Sequence, residues 1–375
     1  MTRRTTGFVG FYRRYTKTWV HALATAALTA FGTLTFVDTR FAALAIVAYV
    51  LPPVVLYSTR AELVYGEQAA DEEQAESSDS DSRSTDDGKA HWTAATVPTT
   101  RPLRDAAVTD GAAYAVGDGG VVLVDDGSGW SAALADGLGA SGNDLSGASA
   151  TTAAVWVAGD GGALGRIDAG TGRHVDHSAP ADDTTNIVAI ATADVDGGEA
   201  VLVADGGGRV RRGVHRDGDL AWDAPVTPAS GSSVAGLTLG EDGVGYVCDT
   251  AGALVKTTDC GRTFTEVGFD GVEGTLTDVA ATATPTVSSD DGVAARYDTG
   301  TWTPERLGDA ALTGLAASGD RWLACAADGA VFEWTDGSAW ERTTTPAGGP
   351  LYGTGLGADR AVAVGDGGTV VERRW

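Results

Sequence analysis

The chain has 375 residues, enough for more than one domain and for a sizeable core. Its formal net charge is -25, because 51 Asp and Glu face 26 Lys and Arg. This balance excludes an extended nucleic-acid interface, which needs a basic face against phosphates. Three cysteines (Cys248, Cys260 and Cys325) form neither a disulfide framework nor a metal-ligand spacing.

The charge is divided unevenly along the chain. Residues 1–66 carry +5, whereas the remainder carries -30, with 19 basic and 49 acidic residues. Lysine occurs only at positions 17, 89 and 256. Molar salt shortens the Debye length to about 3 Å, so that crowded surface carboxylates barely repel one another. The acidity therefore indicates a protein of a high-salt cytoplasm, and little about its partners.

Residues 1–65 predict a membrane anchor. Between Trp19 and Tyr57 only His21, Asp38 and Arg40 interrupt a 39-residue apolar stretch. One helix of that length would measure about 58 Å, roughly twice the hydrocarbon thickness of about 30 Å. Two transmembrane helices, at about 19–37 and 41–57, fit better.

Five basic residues precede the first predicted helix and one lies in the turn after it. The positive-inside rule then places the N-terminus, and the chain beyond the hairpin, in the cytoplasm. An alternative is export: Tyr12–Lys17 loosely resembles a twin-arginine signal, which would place the rest of the chain outside the cell. Residues 66–90, which include DEEQAESSDSDSRSTDDG, predict a disordered acidic linker.

From residue 91 onward one glycine-rich phrase recurs, as in AVGDGG and AGDGG. The glycine ending each copy recurs at intervals of 37 to 45 residues, at Gly120, Gly162, Gly207, Gly252, Gly292, Gly329 and Gly368. This period is typical of propeller blades, solenoids and other arrays.

The fourth unit contains four short β-prone runs, at 237–239, 244–248, 253–257 and 264–267. No helical period extends over ten residues, so helical solenoids are excluded. Four strands in about 40 residues form one propeller blade, and seven units predict an all-β, seven-bladed β-propeller over residues 91–375. Asp-Gly pairs such as Asp118-Gly119 predict type I′ turns, in which glycine and aspartate adopt positive φ.

The last unit lacks its fourth strand, since only seven residues follow Gly368. The segment from His91 to Ala95 has no unit of its own, and Trp92 supplies an aromatic residue like those expected on the other outer strands. We expect this N-terminal strand to complete the seventh blade. The other outer-strand aromatics, expected to pack against an adjacent blade, are Trp130, Trp222, Phe264, Trp302 and Trp340.

The stretch Thr258-Asp259-Cys260-Gly261-Arg262-Thr263-Phe264 resembles an Asp-box. Residues 91–375 resemble the BNR-repeat propellers, related in pattern to WD40 and YVTN repeats, and most of all the Ycf48-type assembly factors as carried by halophilic archaea. The resemblance implies a monomeric binding platform. Asp259 is expected to fold its own turn by accepting backbone N–H bonds.

Other motifs point to no enzyme centre. His174 and His177 flank Asp176, but this spacing is weak for a metal, and solvated histidines are favoured. The stretch from Asp168 to Gly172 resembles a quinone-dehydrogenase repeat, although a turn between outer strands is favoured. No catalytic, cofactor-binding or metal-binding residue is predicted, and no cofactor.

Four arginines between residues 209 and 216 form a basic cluster within the acidic region. They are either paired with acidic neighbours or form a partner-binding patch: Arg209, Arg211, Arg212 and Arg216. The sequence thus predicts a membrane-anchored interaction platform, a scaffold or assembly factor with an unknown protein partner. The alternative is a propeller enzyme, sialidase-like or quinone-dehydrogenase-like, acting at the central pocket.

Overall fold

The computed structural model describes residues 91–138, 141–269, 272–335 and 337–375. These residues form seven four-stranded antiparallel sheets, which are the predicted blades. Blades one to three contain β2 Leu103–Val108, β3 Ala113–Gly117, β4 Val122–Asp125, β5 Ser131–Leu134; β6 Leu145–Ala150, β7 Ala154–Gly159, β8 Leu164–Asp168, β9 His174–Asp176; and β10 Ile187–Val195, β11 Gly198–Asp205, β12 Val210–Arg216, β13 Asp219–Trp222.

Blades four to six follow the same order, from the inner strand outward. They contain β14 Val234–Leu239, β15 Gly245–Asp249, β16 Leu254–Thr257, β17 Thr265–Glu266; β18 Leu276–Ala281, β19 Pro285–Ser289, β20 Val293–Asp298, β21 Thr301–Arg306; and β22 Leu312–Ser318, β23 Arg321–Ala326, β24 Val331–Thr335, β25 Glu341–Thr343. The four strands expected in the fourth unit are thereby confirmed, with boundaries shifted by three residues or fewer.

Blade seven is completed from the other end of the chain. It contains β26 Leu351–Leu356, β27 Arg360–Gly365, β28 Thr369–Arg374 and, outermost, β1 Thr93–Ala94. Strand β1 pairs antiparallel with β28, and the amide of Ala95 extends the ladder by bonding to the carbonyl of Val370 at 2.9 Å. The predicted closure is confirmed, and the ring has no gap at blade seven.

The core is a set of seven apolar clusters, one at each interface between neighbouring blades. Side chains alternate between the two faces of each strand, so each blade contributes to two clusters. The second strands are almost wholly buried, whereas the outer strands are largely exposed. The outer-strand aromatics pack into these clusters as predicted: Trp130, Trp222, Phe264, Trp302 and Trp340.

The Asp-Gly-Gly turns depart from the prediction. In the turn at Asp118 both following glycines, Gly119 and Gly120, have positive φ (69° and 75°), while the aspartate does not. The type I′ assignment with aspartate at positive φ is therefore wrong. In the third blade the glycine that corresponds to Gly120 is Gly208, with φ 77°, and not Gly207 as the repeat pattern predicts.

The two transmembrane helices predicted at 19–37 and 41–57, and the acidic linker predicted at 66–90, lie outside the described residues. Among the residues that are described, no helix combines the length and the hydropathy needed to cross a membrane.

Candidate functional site

The seven inner strands surround a central channel and share one local pattern. Each begins with a buried apolar residue and then shifts its register against the second strand. The second residue of each strand lines one opening of the channel, and we call these seven residues the mouth ring: Arg104, Ser146, Val188, Ala235, Thr277, Thr313 and Tyr352. The third residues follow directly and form the waist ring: Asp105, Gly147, Ala189, Gly236, Asp278, Gly314 and Gly353.

The mouth ring contains one charged member, Arg104. Its guanidinium donates two hydrogen bonds to the carboxylate of Asp118, at 2.7 and 3.0 Å, and lies 5.1 Å from the ring centroid of Tyr352. The bond to Asp118 raises the pKa of Arg104. This arginine is fixed at the edge of the opening, while the rest of the ring is uncharged.

Two carboxyl groups, Asp105 and Asp278, interrupt the small residues of the waist ring. In each, one oxygen accepts the amide of the following residue in its own strand. The other oxygen accepts an amide of the next blade, from Ala148 at 2.9 Å and from Leu315 at 2.8 Å. Each aspartate therefore connects two neighbouring blades at the channel.

Burial raises the pKa of Asp105 and of Asp278 to about 7, and the charge of Asp105 adds to the effect on Asp278. Both side chains border the channel, which opens beyond them into a cavity of about 270 Å³. Sequence reasoning missed this pair. The signal was present, because Leu-Arg-Asp and Leu-Thr-Asp replace a small residue with aspartate at one position of the repeat.

The four predicted arginines do not form one patch. Arg209 and Arg211 share a face, and both contact the carboxylate of Asp183, at 3.7 and 3.3 Å. On the opposite face Arg212 is 7% exposed and pairs with Asp223 at 2.7 Å.

The remaining arginine of the cluster, Arg216, donates to the carbonyl of Asp196 at 2.8 Å. Arg209 also pairs with Asp205 at 2.6 Å. All four arginines thus have intramolecular partners, and their role toward another protein stays a prediction.

The two histidines of the weak metal motif have different environments. His174 is exposed on the outer strand of blade two. His177 stacks on Trp156 with 5.3 Å between ring centroids and meets His215 edge-on at 5.7 Å, so its prediction as a solvated histidine is wrong. Burial, and then the charge of His215, lower the pKa of His177. Within the described ranges no group of three or more metal-binding side chains comes together.

The aspartate of the Asp-box folds its own turn, as predicted. Its carboxylate accepts the amide and the hydroxyl of Thr263, at 2.8 and 2.7 Å, and the hydroxyl of Thr257 at 2.8 Å. Burial acts to raise the pKa of Asp259, but these hydrogen bonds lower it to about 2. Asp168 likewise accepts two bonds from Thr171 in the turn between β8 and β9, which confirms the favoured interpretation of that stretch.

A second cavity of about 210 Å³ lies between blades six and seven, on the face opposite the mouth ring; we call it the seam pocket. Its walls come from the starts of β23 and β27 and the ends of β24, β26 and β28. The residues that line it are Asp320, Arg321, Trp322, Leu323, Glu333, Trp334, Thr335, Leu356, Ala361, Arg373 and Trp375.

The alternation of side chains along a strand determines which residues of the seam pocket face blade seven and which face blade five. Leu323 packs in the cluster between blades six and seven, so Arg321 and Glu333, which share its face, also point toward blade seven. Trp322 and Trp334 belong to the cluster with blade five.

An ion pair crosses the seam pocket. One oxygen of Glu333 pairs with Arg373, and the other accepts the indole N–H of Trp92. The Nε of Arg373 is buried and has no partner in the described residues. The guanidinium of Arg321 lies 4.0 Å from the ring centroid of Trp375, which is also 5.7 Å from the guanidinium of Arg373.

No protein-family model and no curated protein sequence matches this chain. Solved structures do match it over 76% of its length. Ycf48 bound to a D1 peptide is 15% identical, with a TM-score of 0.60 over 95% of that chain. Ycf48 from Cyanidioschyzon merolae is 14% identical, with a TM-score of 0.58 over 98% of its length.

An enzyme has the same architecture. A catalytically inactive variant of virginiamycin B lyase from Staphylococcus aureus, solved with quinupristin, is 14% identical and is covered over 100% of its length, with a TM-score of 0.64. The shared feature is the β-propeller. Likeness at this level establishes the fold and leaves the activity open.

Proposed function

We propose that this chain is a membrane-anchored protein-interaction platform, a scaffold or assembly factor for a membrane complex, and not an enzyme. The observation that carries the proposal is the mouth ring. Six of its seven residues are uncharged, and the guanidinium of Arg104 is already bonded to Asp118. Such an opening offers a broad surface to another protein and few groups that would transform a substrate.

The comparison with Ycf48 also supports a protein-interaction platform. That propeller was solved with a D1 peptide, so in that protein the fold holds a peptide. We extend this to a peptide-binding role for the present chain, as part of the proposal. The predicted membrane hairpin would place the propeller near membrane-protein partners, with the propeller on the cytoplasmic side.

One observation favours the alternative of a propeller enzyme. Asp105 and Asp278 are paired carboxyls in a channel with pKa values of about 7, and shifts of this kind cluster at catalytic sites. The lyase among the matching structures is an enzyme on this fold. Both oxygens of each aspartate accept backbone amides, however, which supports a structural role in joining blades.

Affinity capture from native membranes tests the proposal. The tagged full-length protein should retain defined partners, identified by mass, and a variant carrying Asp105→Asn and Asp278→Asn should retain the same partners. Absence of any specific partner in repeated captures contradicts the platform. Loss of a cellular reaction in the Asn variant, with partner capture intact, favours the enzyme.

Protease protection tests the membrane orientation separately. Protease added to intact cells should leave residues 91–375 undigested, and permeabilised cells should lose them. Digestion in intact cells would contradict the hairpin and favour export.

A further inference from the structure

The seam pocket presents a cation that the described part of the chain does not neutralise. Most described arginines pair with a carboxylate or donate to a carbonyl, but Arg321 makes no hydrogen bond and no ion pair with any described residue. Its contact is with the ring of Trp375. Arg173 and Arg296 likewise make no side-chain hydrogen bond or ion pair among the described residues, and of these three arginines Arg321 is the one that lines the seam pocket.

The acidic side chains of the pocket do not bond to Arg321. One oxygen of Glu333 accepts a hydrogen bond from Arg373 and the other accepts one from Trp92. Asp320 lines the pocket but forms no ion pair with Arg321. Arg373 retains a buried Nε without a partner in the described residues. Arg321 and Arg373 therefore both hold N–H donors that no described group accepts.

Apolar side chains surround these donors. Leu323 and Ala361 are almost fully buried, and Leu356 extends the apolar wall toward the channel. The cavity of about 210 Å³ is open to solvent and has the size of one or two side chains. An unpaired guanidinium beside an apolar wall fits a carboxylate that has an apolar neighbour.

We propose that the seam pocket docks an acidic segment of a partner protein, with an Asp or Glu carboxylate accepting hydrogen bonds from Arg321 and an adjacent apolar side chain contacting Leu323 and Leu356. This inference rests on the proposed platform function and names the surface that it uses. Guanidinium groups bind carboxylates with two parallel hydrogen bonds, which gives the contact direction as well as strength.

The domain's own charge gives the contact an unusual salt dependence. Residues 91–375 carry a charge of -23, with 17 basic and 40 acidic residues, which repels an acidic segment at long range. Salt screens that repulsion, since the Debye length falls from about 10 Å at ~0.1 M to about 3 Å at ~1 M. The direct bonds in the pocket are partly shielded from solvent and are screened less. Affinity for the acidic segment should therefore hold or rise between these two concentrations.

The test uses the full-length protein and two peptides, acetyl-Ala-Leu-Glu-Leu-Ala-amide and its Glu→Gln counterpart. Binding is followed by NMR of the tryptophan indole N–H groups, with Trp375 assigned from Trp375→Phe. The Glu peptide should shift the Trp375 signal, and the Gln peptide should bind about tenfold more weakly. Arg321→Gln should abolish the difference between the peptides, and Arg321→Lys should retain part of it.

Arg173→Gln is the matched control, because Arg173 is an exposed arginine whose side chain makes no hydrogen bond or ion pair within the described residues. It changes the net charge equally and should leave binding unchanged. Equal binding of both peptides, unchanged binding by Arg321→Gln, or no shift of Trp375 at millimolar peptide overturns the proposal. If Arg321→Gln captures the same membrane partners as the wild type, the platform stands and this surface is wrong.

Discussion

The indole nitrogen of Trp92 donates a hydrogen bond to Oε1 of Glu333, 2.5 Å away, across 241 residues of sequence. Trp92 precedes the closing strand of blade seven, and Glu333 lies in blade six, where it also pairs with Arg373 of β28. The contact joins ring closure to the packing of the last two blades.

Replacing Trp92 with alanine should therefore destabilise the whole propeller. Trp92 is 6% exposed, and loss of a buried tryptophan costs about 3–5 kcal/mol. Thermal or denaturant unfolding in molar salt measures the effect. Trp375→Ala is the control, since that indole is 38% exposed and should cost less. Equal midpoints for Trp92→Ala and the wild type would mean that the ring is not held by this residue.

Arg360 and Asp125 form a buried ion pair between blades seven and one, with 2.6 Å between Nη2 and Oδ2. Removing the guanidinium by Arg360→Met should cost about 3–5 kcal/mol, because Asp125 would keep a buried charge with only Arg374 beside it. The exposed pair of Arg342 and Asp328 provides the control, and Arg342→Met should cost about 1 kcal/mol or less. Similar losses in the two variants would contradict the importance of burial.

The waist aspartates predict a pH dependence of stability. Because the folded pKa of Asp105 and Asp278 is raised from 3.8 to about 7, the native state keeps protons that the unfolded chain has released. Their contribution is complete below about pH 4 and is lost as the pH rises through about 7.

Asparagine does not titrate, although its NH2 group cannot accept one of the two backbone amides that each aspartate binds. A variant with Asp105→Asn and Asp278→Asn should therefore start from a lower stability but lose less of it than the wild type between about pH 5 and pH 8. Unfolding at fixed salt across that range measures the difference. Parallel pH profiles for the two proteins would show that the carboxyls are ionised throughout.

Gly368 occupies a position that excludes a side chain for two reasons. Its φ is 75°, and a Cβ atom would lie 2.3 Å from the carbonyl oxygen of Thr99, in the segment that leads from the closing strand into blade one. Gly337 has a similar φ of 80° but no atom within 4 Å of that position.

Gly337→Ala should therefore report the backbone cost alone, about 1–2 kcal/mol. Gly368→Ala should cost clearly more, as measured by denaturant unfolding. Equal costs would mean that the chain at Thr99 moves aside without penalty.

Much of the architecture follows from local patterns along the chain. The spacing of the glycine turns predicts seven blades, and the missing strand after Gly368 predicts closure by the segment around Trp92. The Asp-box turn of Asp259 is equally local, because its partners lie within four residues. The backbone dihedral angles of the turns could not be predicted in the same way. Asp-Gly-Gly is compatible with more than one turn type, and the packing of the third residue selects between them.

The strands, the repeat and the ring can thus be predicted from the chain alone, because a period of two and a period near 40 are encoded by neighbouring residues. The side chains that meet between blades become known only when the sheets are placed in space. Arg360 meets Asp125 across 235 residues, Asp105 bonds to the next blade, and Arg321 and Trp375 come together at the seam pocket. These contacts depend on which faces of separate sheets pack together and on which side chains that packing buries. The spacing of residues along one strand determines neither.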